Sequence, residues 1–179
     1  MPGSTATAVI ILESEIYIAN VGDSRCIIGR DGKAMPVSVD HMADLDSEKM
    51  RIIRAGGVIE DGKINGQMIL SRSIGDFEFK NNRNLSADDQ IITSDPNIKK
   101  VNRSLGCDWL FLASDGIWDV LTSHEIAAFI YERIHKNSLA DIIKELMNKC
   151  LAEDTEHSGG IGCDNMTAIL VLMVNECHS

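Results

Sequence analysis

The chain has 179 residues, 44% of them hydrophobic, and a net charge of −10. That length is enough for one domain with a buried core, read here as spanning residues 1–179. The acidic balance disfavours nucleic acid and anionic membrane surfaces, which need a basic face. The short basic runs Lys99-Lys100 and Lys80 to Arg83 read as solvated surface. No apolar run reaches transmembrane length. The opening Met1 to Thr5 has neither a basic n-region nor an apolar h-region. The five cysteines, Cys26, Cys107, Cys150, Cys163 and Cys177, are odd in number and lack a C-x-x-C spacing. They read as reduced thiols of a cytoplasmic or nuclear protein.

Taken in chain order, strand signals dominate the first half. Ala8 to Leu12 is a short apolar run, and the runs Ile16 to Val21 and Arg25 to Ile28 flank the turn Gly22-Asp23-Ser24. Arg30 to Lys33 marks another turn. Leu45 to Ala55 has helical character and stops at Gly56-Gly57. A further hairpin is expected around Asp61-Gly62, and residues 80–97 read as a polar loop. In the second half Thr122-Ser123-His124-Glu125 is a capping-box pattern, followed by Ile126, Phe129, Ile130 and Ile134 at helical spacing. Ser138 opens a second helix whose apolar face runs from Leu139 to Cys150. The two helices, 124–135 and 138–152, are expected to form an antiparallel pair. The fold class is α+β, with antiparallel sheet and helices on a face.

Two aspartates stand beside the two most apolar strand-like runs. Asp115 follows Trp109 to Ala113, and Asp164 precedes Met166 to Val174. Antiparallel pairing of these runs would bring both carboxylates to one sheet edge, although 49 residues separate them. Two ionised carboxylates at one edge repel unless a cation lies between them, and hard oxygen donors suit Mg²⁺ or Mn²⁺. The plainer alternative is that each Asp caps a turn, as Asp-Gly and Asp-Asn often do.

Eight motifs occur in order: Gly3-Ser4-Thr5-Ala6, Asn20-Val21-Gly22-Asp23-Ser24-Arg25, Asp40-His41, Arg54-Ala55-Gly56-Gly57, Asn65-Gly66, Leu70 to Asp76, Ala113 to Val120, and Asp164-Asn165-Met166-Thr167. Together they closely resemble the metal-dependent serine/threonine protein phosphatases of the type-2C (PPM) family. The resemblance implies an antiparallel β-sandwich with flanking helices. It implies hydrolysis of phosphoserine and phosphothreonine in protein substrates, with water activated by two bridged Mg²⁺ or Mn²⁺ ions. It makes Asp115 and Asp164 metal ligands, and Asp23 and Asp119 carboxylates near a weaker third ion. Asp119 follows Asp115 by one helical turn. Other motif residues have structural readings: Asp76 holds a loop, His41 is a hydrogen-bonded histidine rather than a catalytic acid, and Trp118 packs beneath the Asp115 loop.

The resemblance covers about the C-terminal two-thirds of the family's catalytic domain. The family's Asp-Gly-His-Gly-Gly stretch, with its bridging carboxylate, has no counterpart here: each Asp-Gly is followed by Lys, Lys or Ile. No catalytic residue is therefore assigned. Without a bridging carboxylate two dications about 4 Å apart lack the charge that offsets their repulsion. The expectation is an incomplete sandwich, with N-terminal strands and one helical layer missing, and impaired or absent turnover. A catalytically silent binding or regulatory module is the alternative. An incomplete sandwich is also expected to expose an apolar sheet face and to self-associate as a homo-oligomer.

Overall fold

The computed structural model describes residues 2–103 and 106–173. In chain order the elements are β1 (Gly3–Ser4), β2 (Ala6–Ile11), β3 (Glu15–Val21), β4 (Arg25–Arg30), β5 (Lys33–Pro36), α1 (Asp46–Arg54), β6 (Ile59–Glu60), β7 (Lys63–Ile64), β8 (Ile74–Gly75), a 3₁₀ turn (Phe77–Phe79), β9 (Asn97–Asn102), β10 (Trp109–Ala113), α2 (Asp115–Trp118), α3 (Ser123–Arg133), α4 (Leu139–Cys150) and β11 (Ala168–Leu172). The mixture of helix and antiparallel sheet is the expected one. Strand β9 was not anticipated, and β11 starts two residues later than the apolar run; Val174 lies outside the described residues.

The chain gathers into two compact units, one of residues 1–9, 18–24 and 39–99, the other of residues 10–17, 25–38 and 100–179. A three-stranded sheet is ordered β2-β3-β9.

In the first unit, α1 covers a small core of Ala43, Ile52, Ile64, Phe79 and Ile92. A buried carboxylate organises this core. Glu48 of α1, 2% exposed, accepts from Arg51 Nη2 at 2.6 Å, Arg72 Nη2 at 2.6 Å and Ser71 Oγ at 2.8 Å. Arg51 continues to the carbonyls of Gln90, Ile91 and Ser71. A helix, a strand-like stretch and a long loop are thereby tied to one charge.

The second unit is built on a four-stranded sheet ordered β11-β10-β4-β5, with β10 antiparallel to both β11 and β4. Ile27, Trp109, Phe111 and Leu170 point toward α3 and α4, meeting Ile126, Ile130, Ile142 and Leu146. The capping box is present: Glu125 N donates to Thr122 Oγ1, and Thr122 N donates to Glu125 Oε2. Ser138 Oγ likewise accepts from Asp141 N. Cys26, Ile28, Leu110 and Leu112, which alternate with the helix-facing residues, are also buried. The centre of this sheet is therefore covered on both faces, and its exposed apolar side chains are confined to the edge strands. These are Ile169 and Leu172 on β11 and Met35 on β5; further exposed apolar side chains lie on β2 (Ile10, Ile11) and β9 (Ile98).

Cys26, Cys107 and Cys150 are buried free thiols and Cys163 is an exposed one; Cys177 lies outside the described residues. Among the described residues no helix is long and apolar enough to cross a membrane.

Candidate metal centre

The register Ala113↔Ala168 places the end of β10 beside the start of β11. Ser114 extends the pairing one step beyond the sheet. Its N–H donates to the Thr167 carbonyl at 3.0 Å, its Oγ accepts from Thr167 N at 3.1 Å, and it donates to the Asn165 carbonyl at 3.4 Å. The loops carrying Asp115 and Asp164 are thus joined at one edge, as the antiparallel pairing requires. The contact is tight: a Cβ added to Gly116 would come within 2.5 Å of the Asn165 carbonyl oxygen.

Asp115 opens α2 and is half-buried; its Oδ1 accepts from Gly116 N at 2.9 Å. Asp164 is exposed, and its Oδ1 accepts from Asn165 N at 2.6 Å. Both aspartates therefore also serve the plainer turn-holding role. Asp119 ends α2, its N–H donating to the Asp115 carbonyl at 2.8 Å, so the expected single helical turn between them exists. Trp118 fixes this turn from below. Its Nε1 donates to the Ala113 carbonyl at 2.8 Å, its ring meets Phe111 edge-on, and the Arg25 guanidinium stands 4.9 Å above it.

Asp23 belongs to the first unit, in the turn between β3 and β4, and is half-buried. That turn is held by residues the sequence reading treated as structural or left unassigned. Gly22 N donates to His41 Nδ1 at 3.1 Å, and Asn20 Nδ2 donates to the carbonyls of Gly22 and Val39. His41 is 2% exposed, so its reading as a hydrogen-bonded histidine matches its surroundings. Asp76 holds its loop by accepting from Ser73 Oγ at 2.5 Å.

In donor chemistry the Asp115 and Asp164 carboxylates fit a hard divalent cation. In number they fit part of one coordination sphere. Among the described residues, no group of three or more His, Cys, Asp and Glu side chains is gathered closely enough to hold a metal ion.

Residues 1–159 match the family model of Protein phosphatase 2C. The chain belongs to the protein phosphatase 2C family. Asp23, Asp115 and Asp119 fall within that match, and Asp164 lies just beyond it. The protein named Probable protein phosphatase 2C 60 of Arabidopsis thaliana is 45% identical over 178 residues, covering 99% of this chain and 49% of the relative. Probable protein phosphatase 2C 58 of Oryza sativa subsp. japonica is 47% identical over 170 residues, covering 94% and 46%. The chain spans about half the length of these curated relatives.

Among solved structures, a phosphatase from a pathogenic strain of Toxoplasma gondii superposes with a TM-score of 0.76 at 26% identity, covering 88% of this chain and 48% of that one. A sex determining protein of C. elegans shares the fold, with a TM-score of 0.73 at 22% identity and coverage of 95% and 40%. The arrangement of helix and antiparallel sheet is that of protein phosphatase 2C.

Proposed function

We propose that this chain carries part of a metal-dependent protein serine/threonine phosphatase catalytic domain, acting on phosphoserine and phosphothreonine in proteins. In this reading Asp115 and Asp164 bind Mg²⁺ or Mn²⁺, and Asp119, in the second unit, and Asp23, in the first, are each weaker cation-binding carboxylates. The observation that carries it is the joining of the Asp115 and Asp164 loops through Ser114, Gly116 and Asn165, in a chain of the protein phosphatase 2C family. A bound dication supplies charge neutralisation at the phosphoryl oxygens and lowers the pKa of water. The chain's own residues supply the placement: the β10–β11 register sets the spacing of the two loops, and Trp118 and Ser114 hold the first turn of α2 against the sheet.

The family's Asp-Gly-His-Gly-Gly stretch is not among these 179 residues. We propose that the 179-residue chain by itself therefore binds at most one cation at this edge and turns over slowly. A second reading, a catalytically silent module that binds a phosphoprotein or a partner, is favoured by the lack of any three-ligand cluster among the described residues. Hydrolysis of an aryl phosphate with Mn²⁺ separates the two. Mn²⁺-dependent turnover that Asp115→Asn abolishes supports the enzyme; equal background rates for both proteins support the silent module.

Self-association belongs to the same proposal, through the exposed apolar side chains of β2, β9 and β11. Sedimentation at micromolar concentration tests it, and a single monomeric species counts against it. The free thiols agree with a reducing compartment, cytoplasm or nucleus.

A further inference from the structure

The turn Gly22-Asp23-Ser24 is pinned by more groups than a tight turn needs. On one side of Gly22 stands Asn20, completely buried. Its Nδ2 donates to the Gly22 carbonyl at 3.0 Å and to the Val39 carbonyl at 2.9 Å, while its Oδ1 accepts from Thr7 Oγ1 at 2.5 Å. On the other side stands His41. Its Nδ1 accepts from Gly22 N at 3.1 Å and its own N–H donates back to the Gly22 carbonyl at 3.0 Å. The far end of the turn is tied by Ser24 Oγ and Thr5 Oγ1, 2.9 Å apart. Gly22 itself has φ +98°, and the Thr5 side chain fills the space a Cβ would need. Both backbone polar groups of the residue before Asp23 are therefore held by buried side chains, within one compact unit.

A backbone N–H is only a donor, so His41 Nδ1 must be the acceptor and its proton must sit on Nε2. Burial, and then the positive charge of Arg72, push the imidazole below its usual range, against smaller raising effects of Glu48, a hydrogen bond to the Gly22 backbone and Asp40. The neutral acceptor form is the one the turn requires.

We infer that Asn20 and His41 are positioning residues for Asp23: they fix the backbone of the turn that carries its carboxylate. The inference rests on the reading of Asp23 as a cation-binding carboxylate. It assigns a task to two buried polar residues.

Two substitutions separate positioning from filling space. His41→Phe keeps a ring and loses the acceptor; His41→Asn loses the ring and keeps an acceptor near the Nδ1 position. The probes are amide hydrogen exchange at Gly22, Asp23 and Ser24, and broadening of the same NMR signals by Mn²⁺ alone, with the melting temperature recorded for each protein. His41→Phe is expected to speed exchange at the turn about tenfold and to raise the Mn²⁺ concentration needed for broadening there several-fold, about as much as one lost backbone hydrogen bond allows. His41→Asn is expected to restore both readouts toward those of the unaltered chain, even if its melting temperature is lower. Unchanged exchange in His41→Phe, or loss in His41→Asn equal to that in His41→Phe, overturns the positioning role. If the unaltered chain shows no broadening at the turn under saturating Mn²⁺, the cation reading of Asp23 fails and its link to His41 falls with it. The exchange data then still report whether the turn is pinned.

Discussion

The Asn165 carbonyl oxygen occupies the place where a side chain on Gly116 would begin, 2.5 Å from an added Cβ. Residue 116 lies inside α2, where alanine is otherwise the better helix former. Gly116→Ala should therefore leave α2 helical while forcing apart the loops that bear Asp115 and Asp164. The expected result is a loss of Mn²⁺ affinity of about tenfold, or about 1.4 kcal/mol, read by titration calorimetry, with α3 and α4 intact by circular dichroism. Affinity unchanged in this variant would show that the two loops do not share an ion.

Glu48 offers a test by acidity. Burial alone would raise its carboxyl, but the hydrogen bonds from Arg72, Arg51 and Ser71 together outweigh this and hold it down to about 2, against an ordinary 4.5. A carboxyl lowered in the folded state contributes stability that is present above the unfolded value and lost as pH falls. The first unit should thus weaken as pH drops from about 4.5 toward 2. Glu48→Gln should remove that acid dependence and cost about 3 kcal/mol at neutral pH, because Arg51 is left buried without its carboxylate. Urea unfolding of both proteins at several pH values measures each effect.

Thr122 closes the N-terminus of α3 with both halves of its capping box formed. Thr122→Ala should lower stability by about 1 kcal/mol, and Glu125→Ala by less, since the hydroxyl cap on Glu125 N survives. Thermal unfolding followed at 222 nm would detect the ordering of the two variants.

Thiol reactivity should divide along burial. Burial pushes the Cys26 thiol up to about 12 and the Cys107 thiol up to about 11, so few thiolates form there at neutral pH. Cys163 is exposed beside Asp164. Among the described cysteines, a disulfide reagent should modify Cys163 in the folded protein and reach Cys26 and Cys107 only after unfolding. Peptide mass mapping of the labelled chain checks this.

Much of the second unit was legible in the sequence because its signals are local. The Thr122–Glu125 box, the apolar face from Leu139 to Cys150 and the uncharged runs of β10 and β11 each declare themselves within a dozen residues. The meeting of the loops that carry Asp115 and Asp164 followed from one assumption, that two apolar strands distant in sequence run antiparallel. Strand β9 escaped because Lys99 and Lys100 sit on a solvated sheet edge, where the alternation that marks a half-covered strand is absent. The Glu48 network escaped for a different reason. Its members come from positions 48, 51, 71, 72 and 90 to 91, and nothing in a spacing pattern reveals that four polar side chains will meet in a core. His41 was recognisable as a structural histidine, but its partner Gly22 lies 19 residues away and could be found only in three dimensions.

Strand β4 sits between β5 and β10, yet its partner on one side is made long after it: Trp109 pairs with Gly29. At the pace of a ribosome the 79 residues between Gly29 and Trp109 take on the order of ten seconds to appear. Throughout that interval Cys26, Ile27 and Ile28, all fully buried in the finished protein, lack their ladder with β10. The nascent chain therefore presents a sticky segment early. Such exposed apolar surface favours aggregation until β10 emerges and closes the sheet.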